Sequence, residues 1–312
     1  MNKESGLIVK AISGEYTILK NGERFVCKPR GVFRYKEMTP KVGDYVLFDD
    51  KTIYEIKERK NDLIRPFVSN IDKAFLVFSV KDPDLNLNLL DRMLAVIEFN
   101  DIKPIIIFTK LDLLKEEEKE DFNIINNYYE KIGYKTYLSS KDNLPSELDK
   151  EMKGAICCLA GQSGVGKSTL LNLYDASLNL KTDEISYALG RGKHTTRHVE
   201  LIELNEGFII DTPGFGSLDF IDMTVEDLSQ SFVEFFEASK KCKYGMCLHL
   251  NEPGCMVKEK VENNTIFKSR YDNYLLFVDE IRGQRVIYNK KDGKKDRKWL
   301  YHHQYLLVIL AK

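Results

Sequence analysis

The sequence predicts a multidomain α/β protein: a small β-barrel, then a doubly wound α/β domain, then a helical segment built around a cysteine cluster. Three observations carry this. Residues 1–66 read as short strands without helical period. From about residue 70, near-continuous apolar strands alternate with helical stretches, the pattern of a parallel sheet covered on both faces. Beyond residue 240, three cysteines and a histidine crowd together between amphipathic helices. The expected boundaries are 1–66, 67–222 and 223–312.

The barrel strands are "GLIVKAI", "EYTIL", "RFVCKP", "DYVLFD" and "IYEIKE", with Asn21-Gly22 as a hairpin turn. An oligonucleotide-binding barrel is the preferred reading and an SH3-like barrel its rival. Arg24, Lys28, Arg30, Phe33, Arg34, Tyr35 and Lys36 interleave charge with rings, as an RNA contact requires and as a solvated loop also permits. In the second part, "KAFLVFSV", "KPIIIF", "KTYLSS", "GAICCLA" and "GFIID" read as strands, and Leu87, Leu90, Leu94 and Ile97 mark a helical stripe. In the third, "TVEDLSQSFVEFFEAS" reads as one amphipathic helix opened by a Thr224–Asp227 capping box.

Bulk composition narrows the class without naming a function. The chain has 312 residues, 43% hydrophobic and 30% charged, with 47 basic against 48 acidic side chains and a net charge of −1. Any nucleic-acid surface must therefore be a local patch. The start, "MNKESGLIVK", lacks the apolar core of a signal peptide, and no apolar run approaches a membrane span. Six cysteines in such a chain point to a reducing compartment, with metal binding favoured over disulfides. The expectation is a cytoplasmic monomer with no membrane association.

"GQSGVGKST", Gly161 to Thr169, matches the phosphate-loop pattern in full and sits between a buried strand and a helix. Backbone N–H groups of Gly161, Gln162, Ser163, Gly164, Val165 and Gly166 would wrap phosphates at a helix N-terminus. Lys167 would reach the β- and γ-phosphates, Ser168 would bind magnesium, and Thr169 completes the motif. Downstream, "FIIDTPGF" places Asp211 at a strand end, where a carboxylate holds magnesium through water, and Gly214 near the γ-phosphate. Between them, "LGRGKHTTRHVE" suits a switch loop in which Thr195 or Thr196 completes the magnesium shell. Phe215 stands where Ras-like GTPases carry a water-orienting glutamine, so intrinsic hydrolysis is expected to be slow. His194 is the candidate for positioning the water instead.

The base reader comes early. "KPIIIFTKLDLL", Lys103 to Leu114, is a buried strand ending in Thr109-Lys110-Leu111-Asp112, followed by a second strand and a Ser139-Ser140-Lys141 turn that would cap the base. Asp112 would accept from guanine N1–H and its 2-amino group, which adenine lacks; Lys110 would lie along base and ribose. Thr109 replaces the usual asparagine and is expected to make a weaker loop contact. A literal N-K-x-D also occurs in "YNKKD", Tyr288 to Asp292, but with only "RVIY" before it and charged "GKKDRKW" after it. A base reader must be held at the end of a buried strand, which favours Asp112. The motif order is therefore permuted: base reader, base cap, phosphate loop, switch I, switch II. Intact βα units tolerate such a cut.

Cys242, Cys247, His249 and Cys255 give C-x4-C-x-H-x5-C, a ligand set for one closed, structural zinc site. Cys27, Cys157 and Cys158 fall in predicted strands and are expected in the core. The tail from Arg282 to Lys298 has eight basic residues against two acidic ones and reads as a solvated charge run, with RNA contact as the sharper option.

"TKLD", "SSKD", "GQSGVGKST", "GRGKHTT", "DTPGF" and "CKYGMCLHLNEPGC", in that order, resemble the bacterial ribosome small subunit-dependent GTPase A family. The resemblance covers roughly residues 5–280. It implies an oligonucleotide-binding barrel, a permuted GTPase core and a zinc domain. It also implies a role in late maturation of the small ribosomal subunit through its rRNA, with GTP hydrolysis stimulated by that subunit, and a catalytic role for His194. The alternative is a GTP-gated RNA-binding module whose hydrolysis is incidental. A nucleotide or metabolite kinase would share the phosphate loop but has no need of the base reader, switch or zinc cluster.

Overall fold

The computed structural model describes residues 3–31, 33, 38–64, 67–141, 143, 145, 147–174, 199–211 and 219–283. The chain forms two compact units, Met1–Leu218 and Asp219–Lys312.

In the first unit, β1 (Glu4–Ile12), β2 (Glu15–Lys20), β3 (Glu23–Pro29), β4 (Tyr45–Phe48) and β5 (Thr52–Ile56) run in the order β1-β2-β3-β5-β4. Pairing of β4 back onto β1 closes the barrel. This is the five-stranded oligonucleotide-binding type preferred above. Asn21 (φ 49°) and Gly22 (φ 82°) form the predicted hairpin turn, and Ile8, Ile18, Val46, Phe48 and Ile53 fill the interior.

The barrel foot hangs on a buried carboxylate. Asp44 has no solvent exposure and accepts from Arg59 Nε and Nη2 (both 2.7 Å), Lys41 N (2.7 Å) and Ser69 Oγ (2.6 Å). Ser69 belongs to β7 (Val68–Ser69), which pairs with β6 (Asp62–Leu63). The chain passes so close here that a Cβ at Gly43 (φ 94°) would lie 2.0 Å from the Ser69 carbonyl oxygen.

The α/β core follows: β8 (Lys73–Ser79), α1 (Leu87–Phe99), β9 (Lys103–Thr109), α2 (Glu116–Lys131), β10 (Lys135–Leu138), α3 (Leu148–Met152), β11 (Ile156–Ala160), α4 (Lys167–Tyr174), β12 (Val199–Leu204) and β13 (Gly207–Asp211). The order β10-β9-β8-β11-β13-β12 is parallel except at β12. Strands β8, β9 and β11 are buried almost throughout, as continuous apolar runs require. Cys27, Cys157 and Cys158 are buried as expected. Leu90, Leu94 and Ile97 of the predicted stripe are buried, while Leu87 is half-buried. The order in which strands are added across the sheet reverses between β8 and β11, which run parallel, so the crevice at their carboxyl ends is where such a sheet takes its ligand.

Two expectations change. The loop "LGRGKHTTRHVE" was expected to run to Glu200, but Val199 and Glu200 already belong to β12, whose outer edge pairs with β1 of the barrel. Barrel and core thus share one eleven-stranded sheet. In the second unit, the single helix expected over "TVEDLSQSFVEFFEAS" is two: α5 (Val225–Ser231) and α6 (Val233–Ser239). Phe232 between them is extended (φ −93°, ψ 100°) and fully buried against Phe235 and Tyr274. Burial of that ring outweighs the helical period. The Thr224–Asp227 capping box forms. With α7 (Met256–Glu262) and α8 (Lys268–Gly283), these helices enclose Phe220, Phe232, Phe235, Tyr274 and Phe277 and a buried Arg270–Glu234 pair (2.7 Å). No helix among the described residues is long and apolar enough to cross a membrane.

Replacing Asp44 by Ala removes the anion from four donors and leaves Arg59 with Asp62 as its carboxylate partner. The variant should lose about 3 kcal/mol of stability in the first unit, the low end for breaking a buried pair. Denaturant unfolding checks this, and a loss under about 1 kcal/mol, typical of an exposed pair, would contradict it.

Candidate functional site

The phosphate loop follows β11 and leads into α4. Its first glycine is required by close approach: a Cβ at Gly161 would lie 2.2 Å from the Val77 carbonyl oxygen. Gly166 (φ 96°) sits where only glycine is relaxed, just before Lys167. Lys167 Nζ donates to the carbonyls of Gly161 (2.8 Å) and Gln162 (2.6 Å), so the ammonium already spans the loop. Ser168 is buried at the start of α4, and Leu170 N donates to the Gly166 carbonyl (2.9 Å) as the helix begins.

The "TKLD" turn is locked to this loop. Thr109, the last residue of β9, is buried, and its Oγ1 donates to the Val165 carbonyl at 2.6 Å. The shorter hydroxyl was expected to make a weaker contact, yet it reaches because β9 and the loop lie one strand apart, across β8. Lys110 is left-handed (φ 60°, ψ 34°) and starts a short 3₁₀ turn, Leu111–Leu113, while its Nζ donates to the Asp82 carbonyl. Asp112 Oδ1 accepts from Lys141 N (3.1 Å), and Leu111 N donates to the Ser139 carbonyl (3.4 Å). The "SSK" turn after β10 thereby orients the carboxylate of the "TKLD" turn.

These pieces enclose one cavity of about 240 Å³, mostly apolar at its lining. Thr109, Lys110, Asp112 and Leu113 line it from the first turn; Ser139, Ser140 and Lys141 from the second; Gly166, Thr169 and Leu170 from the phosphate loop and helix. A larger open recess of about 450 Å³ lies on the barrel beside Lys41, Arg59 and Phe67. Lys41 and Arg59 there are already engaged with Asp62, and Arg59 with Asp44 as well. The smaller cavity carries the motifs.

Asp211 ends β13 as expected, beside Leu159 of β11; its side chain is not among the described ones. His194, Thr195, Thr196, Gly214 and Phe215 lie outside the described residues, as do Arg34, Tyr35, Lys36, the tail from 284 onward and the second N-K-x-D at 289–292.

In the second unit the four ligand atoms of Cys242, Cys247, His249 and Cys255 all lie within 4.8 Å of one another. Cys255 Sγ is 3.4 Å and Cys242 Sγ 3.9 Å from His249 Nδ1. Tetrahedral bonds of about 2.0–2.3 Å give ligand–ligand edges of about 3.5–3.8 Å, so a metal ion fits with little movement. Burial pushes the Cys247 thiol up to about 12 and lowers the His249 pKa. Thiolates there need a cation, which suits a metal centre rather than reactive cysteines. His249 is left-handed (φ 61°), held by Tyr271 Oη donating to its carbonyl (2.6 Å). Glu252, which sequence reasoning missed, accepts from Leu248 N (2.8 Å) and Leu250 N (2.7 Å) and braces the turn around His249. Its only signal was a carboxylate amid the turn residues of the knuckle.

Fold and site together define a P-loop GTPase whose motifs run in circularly permuted order behind an oligonucleotide-binding barrel. The family model described as "RsgA N-terminal domain" matches residues 5–55 and that described as "RsgA GTPase" matches 56–221. The chain belongs to the RsgA GTPase family. A "Small ribosomal subunit biogenesis GTPase RsgA 2" of Oceanobacillus iheyensis is 49% identical over 290 residues, covering 91% of this chain and 99% of that protein. The crystal structure of YloQ, described as a circularly permuted GTPase, superposes with a TM-score of 0.76 at 41% identity, covering 90% of this chain and 96% of that one. That of YjeQ from Thermotoga maritima does so with a TM-score of 0.79 at 33% identity, covering 91% and 100%. A third family model, "50S ribosome-binding GTPase", matches 156–292. That span starts at the phosphate-loop strand and ends on Asp292 of "NKKD", the conventional order. Among the described residues, the carboxylate that shares a cavity with the phosphate loop is Asp112.

A metal held by the four-residue cluster should stabilise the second unit. Chelation, or Cys247→Ala, should lower its melting temperature by more than about 10 °C, as loss of several kcal/mol does in a unit of this size. Calorimetry of the full chain reads this; a transition indifferent to both changes would remove the metal.

Proposed function

We propose that this chain hydrolyses GTP to GDP and phosphate while bound to the small ribosomal subunit and its rRNA, in late maturation of that subunit. The observation that carries the enzymatic part is the single cavity shared by Asp112, the "SSK" turn and the phosphate loop. The relatives' printed name, at 49% identity over nine-tenths of the chain, supports the partner. The 50S description belongs to a model matching fewer than half of the residues and carries less weight.

In this reading Asp112 accepts from guanine N1–H and the 2-amino group, with Thr109 and Leu111 fixing its turn. Lys110 lies along the ribose, and Ser139, Ser140 and Lys141 cap the base. Residues Gly161 to Thr169 wrap the phosphates, with Lys167 on the β- and γ-oxygens and Gly214 N–H near the γ-phosphate. Magnesium accompanying GTP neutralises phosphate charge. Ser168, Asp211 and Thr195 or Thr196 are the residues to hold it. His194 positions the attacking water, because Phe215 offers no hydrogen bond. The metal at Cys242, Cys247, His249 and Cys255 is zinc, structural because four protein ligands leave no open position. The three-part division at 66/67 and 222/223, a monomeric state and a cytoplasmic location complete the proposal.

Phe215 implies slow intrinsic turnover that the subunit must raise. Adding purified small subunits to the full chain should increase GTP turnover at least about tenfold, modest beside what activation in trans achieves in other GTPases. Unchanged turnover with GTP-dependent subunit binding would favour a GTP-gated RNA-binding module instead.

A further inference from the structure

The barrel joins the core at one point only among the described ladders: Lys10↔Glu200 and Ala11↔Val199, where β1 pairs with β12. The junction is reinforced by charge. Lys10 Nζ contacts Glu200 Oε2 at 2.5 Å, and Arg24 Nη1 of β3 approaches Glu200 Oε1 at 3.6 Å. The β1–β2 register shifts between Ile8 and Lys10, an irregularity at the very residue that turns to meet β12.

The register then leads inward. Lys10 lies opposite Thr17 on one side and Glu200 on the other. Leu201 lies opposite Ile210, so the next pair along brings Glu200 opposite Asp211. Asp211 lies opposite Leu159, two residues before Gly161. A single cross-sheet row, Thr17–Lys10–Glu200–Asp211–Leu159, therefore runs from the barrel to the foot of the phosphate loop. Strand β12 begins with the last two residues of the segment read from sequence as switch I, Val199 and Glu200, and β13 ends directly before "TPGF".

We propose that the Lys10–Glu200 pair transmits nucleotide state between the GTPase centre and the RNA-binding barrel. By reciprocity, rRNA seated on the barrel then biases the centre through the same contact. Both are positioning residues; neither touches the nucleotide. A ladder of two residue pairs is short enough to strain or slip when its neighbours move, and the ion pair fixes its register. The inference rests on the GTPase reading above, but its first test needs no ribosome.

Hydrogen exchange of residues 5–20 in the full chain, with GDP and with a non-hydrolysable GTP analogue, reads the contact directly. Exchange should differ between nucleotides by about fivefold, the low end of allosteric coupling. Glu200→Gln and Lys10→Gln should each abolish the difference, and the reversed pair Lys10→Glu/Glu200→Lys should restore it. Nucleotide affinity should be unchanged in all three, which a purely structural defect would not allow. Equal exchange with both nucleotides in the native chain, or a difference that survives Glu200→Gln, overturns the proposal; so does failure of the reversed pair to restore it. With subunits added, the single variants should still bind, but with equal affinity in the GDP and GTP-analogue states, and should lose most of the stimulated turnover. Absence of stimulation in the native chain would sink the proposed function while leaving the exchange result to decide this one.

Discussion

A nucleotide has to be held by its base and its phosphates at once, and in this chain the two holds meet in one buried hydrogen bond, Thr109 Oγ1 to the Val165 carbonyl. On one side of it, the left-handed Lys110 turns the chain so that Asp112 comes under Lys141 N. On the other, the glycines of the phosphate loop bring backbone N–H groups to the N-terminus of α4. Neither half is a site alone. The bond is short because both residues leave strands whose carboxyl ends sit at the switch point of a parallel sheet, where the backbone positions are fixed by burial rather than by the loop itself.

Permutation leaves this geometry intact. The strands that carry "TKLD" and "SSK" come before the phosphate-loop strand in the chain and lie across β8 from it in the sheet, in the order β10-β9-β8-β11. Cutting the cycle between switch II and β8 changes only what is attached to the ends. One end now receives the barrel, whose foot is tied by Asp44 to the hairpin just before β8. Its first strand also continues the core sheet through β12. The other end leads from the "DTPGF" segment into the second unit.

Local patterns were legible and distant partners were not. The phosphate loop and the "TKLD" turn are set by short-range chemistry: glycines at forced backbone angles and a carboxylate after a buried strand. The second N-K-x-D, at 289–292, was set aside on sequence alone, with only "RVIY" before it and charged residues after it, and it lies outside the described residues. Thr109 was read as a weaker tether, because sequence gives side-chain length but not the distance to be bridged. Asp44 was read only as the first residue of the strand "DYVLFD"; its burial depends on Arg59 and Ser69, fifteen and twenty-five residues away. Glu200 looked like the end of a loop, since its partner is 190 residues distant. The break at Phe232 was hidden by an unbroken helical period that packing overrides.

The central claim is that the early carboxylate, Asp112, reads the base. Replacing it by asparagine keeps an acceptor for N1–H but turns a donor toward the 2-position, where xanthine carries an oxygen in place of the amino group, so affinity should move from guanine to xanthine nucleotides. Titrating the Asp112→Asn chain with GDP and XDP measures this directly. A loss of GDP affinity of about a hundredfold, the scale of about 3 kcal/mol for charge-assisted hydrogen bonds, with a matching gain for XDP, is the predicted result. Unchanged GDP affinity would place the base reader elsewhere.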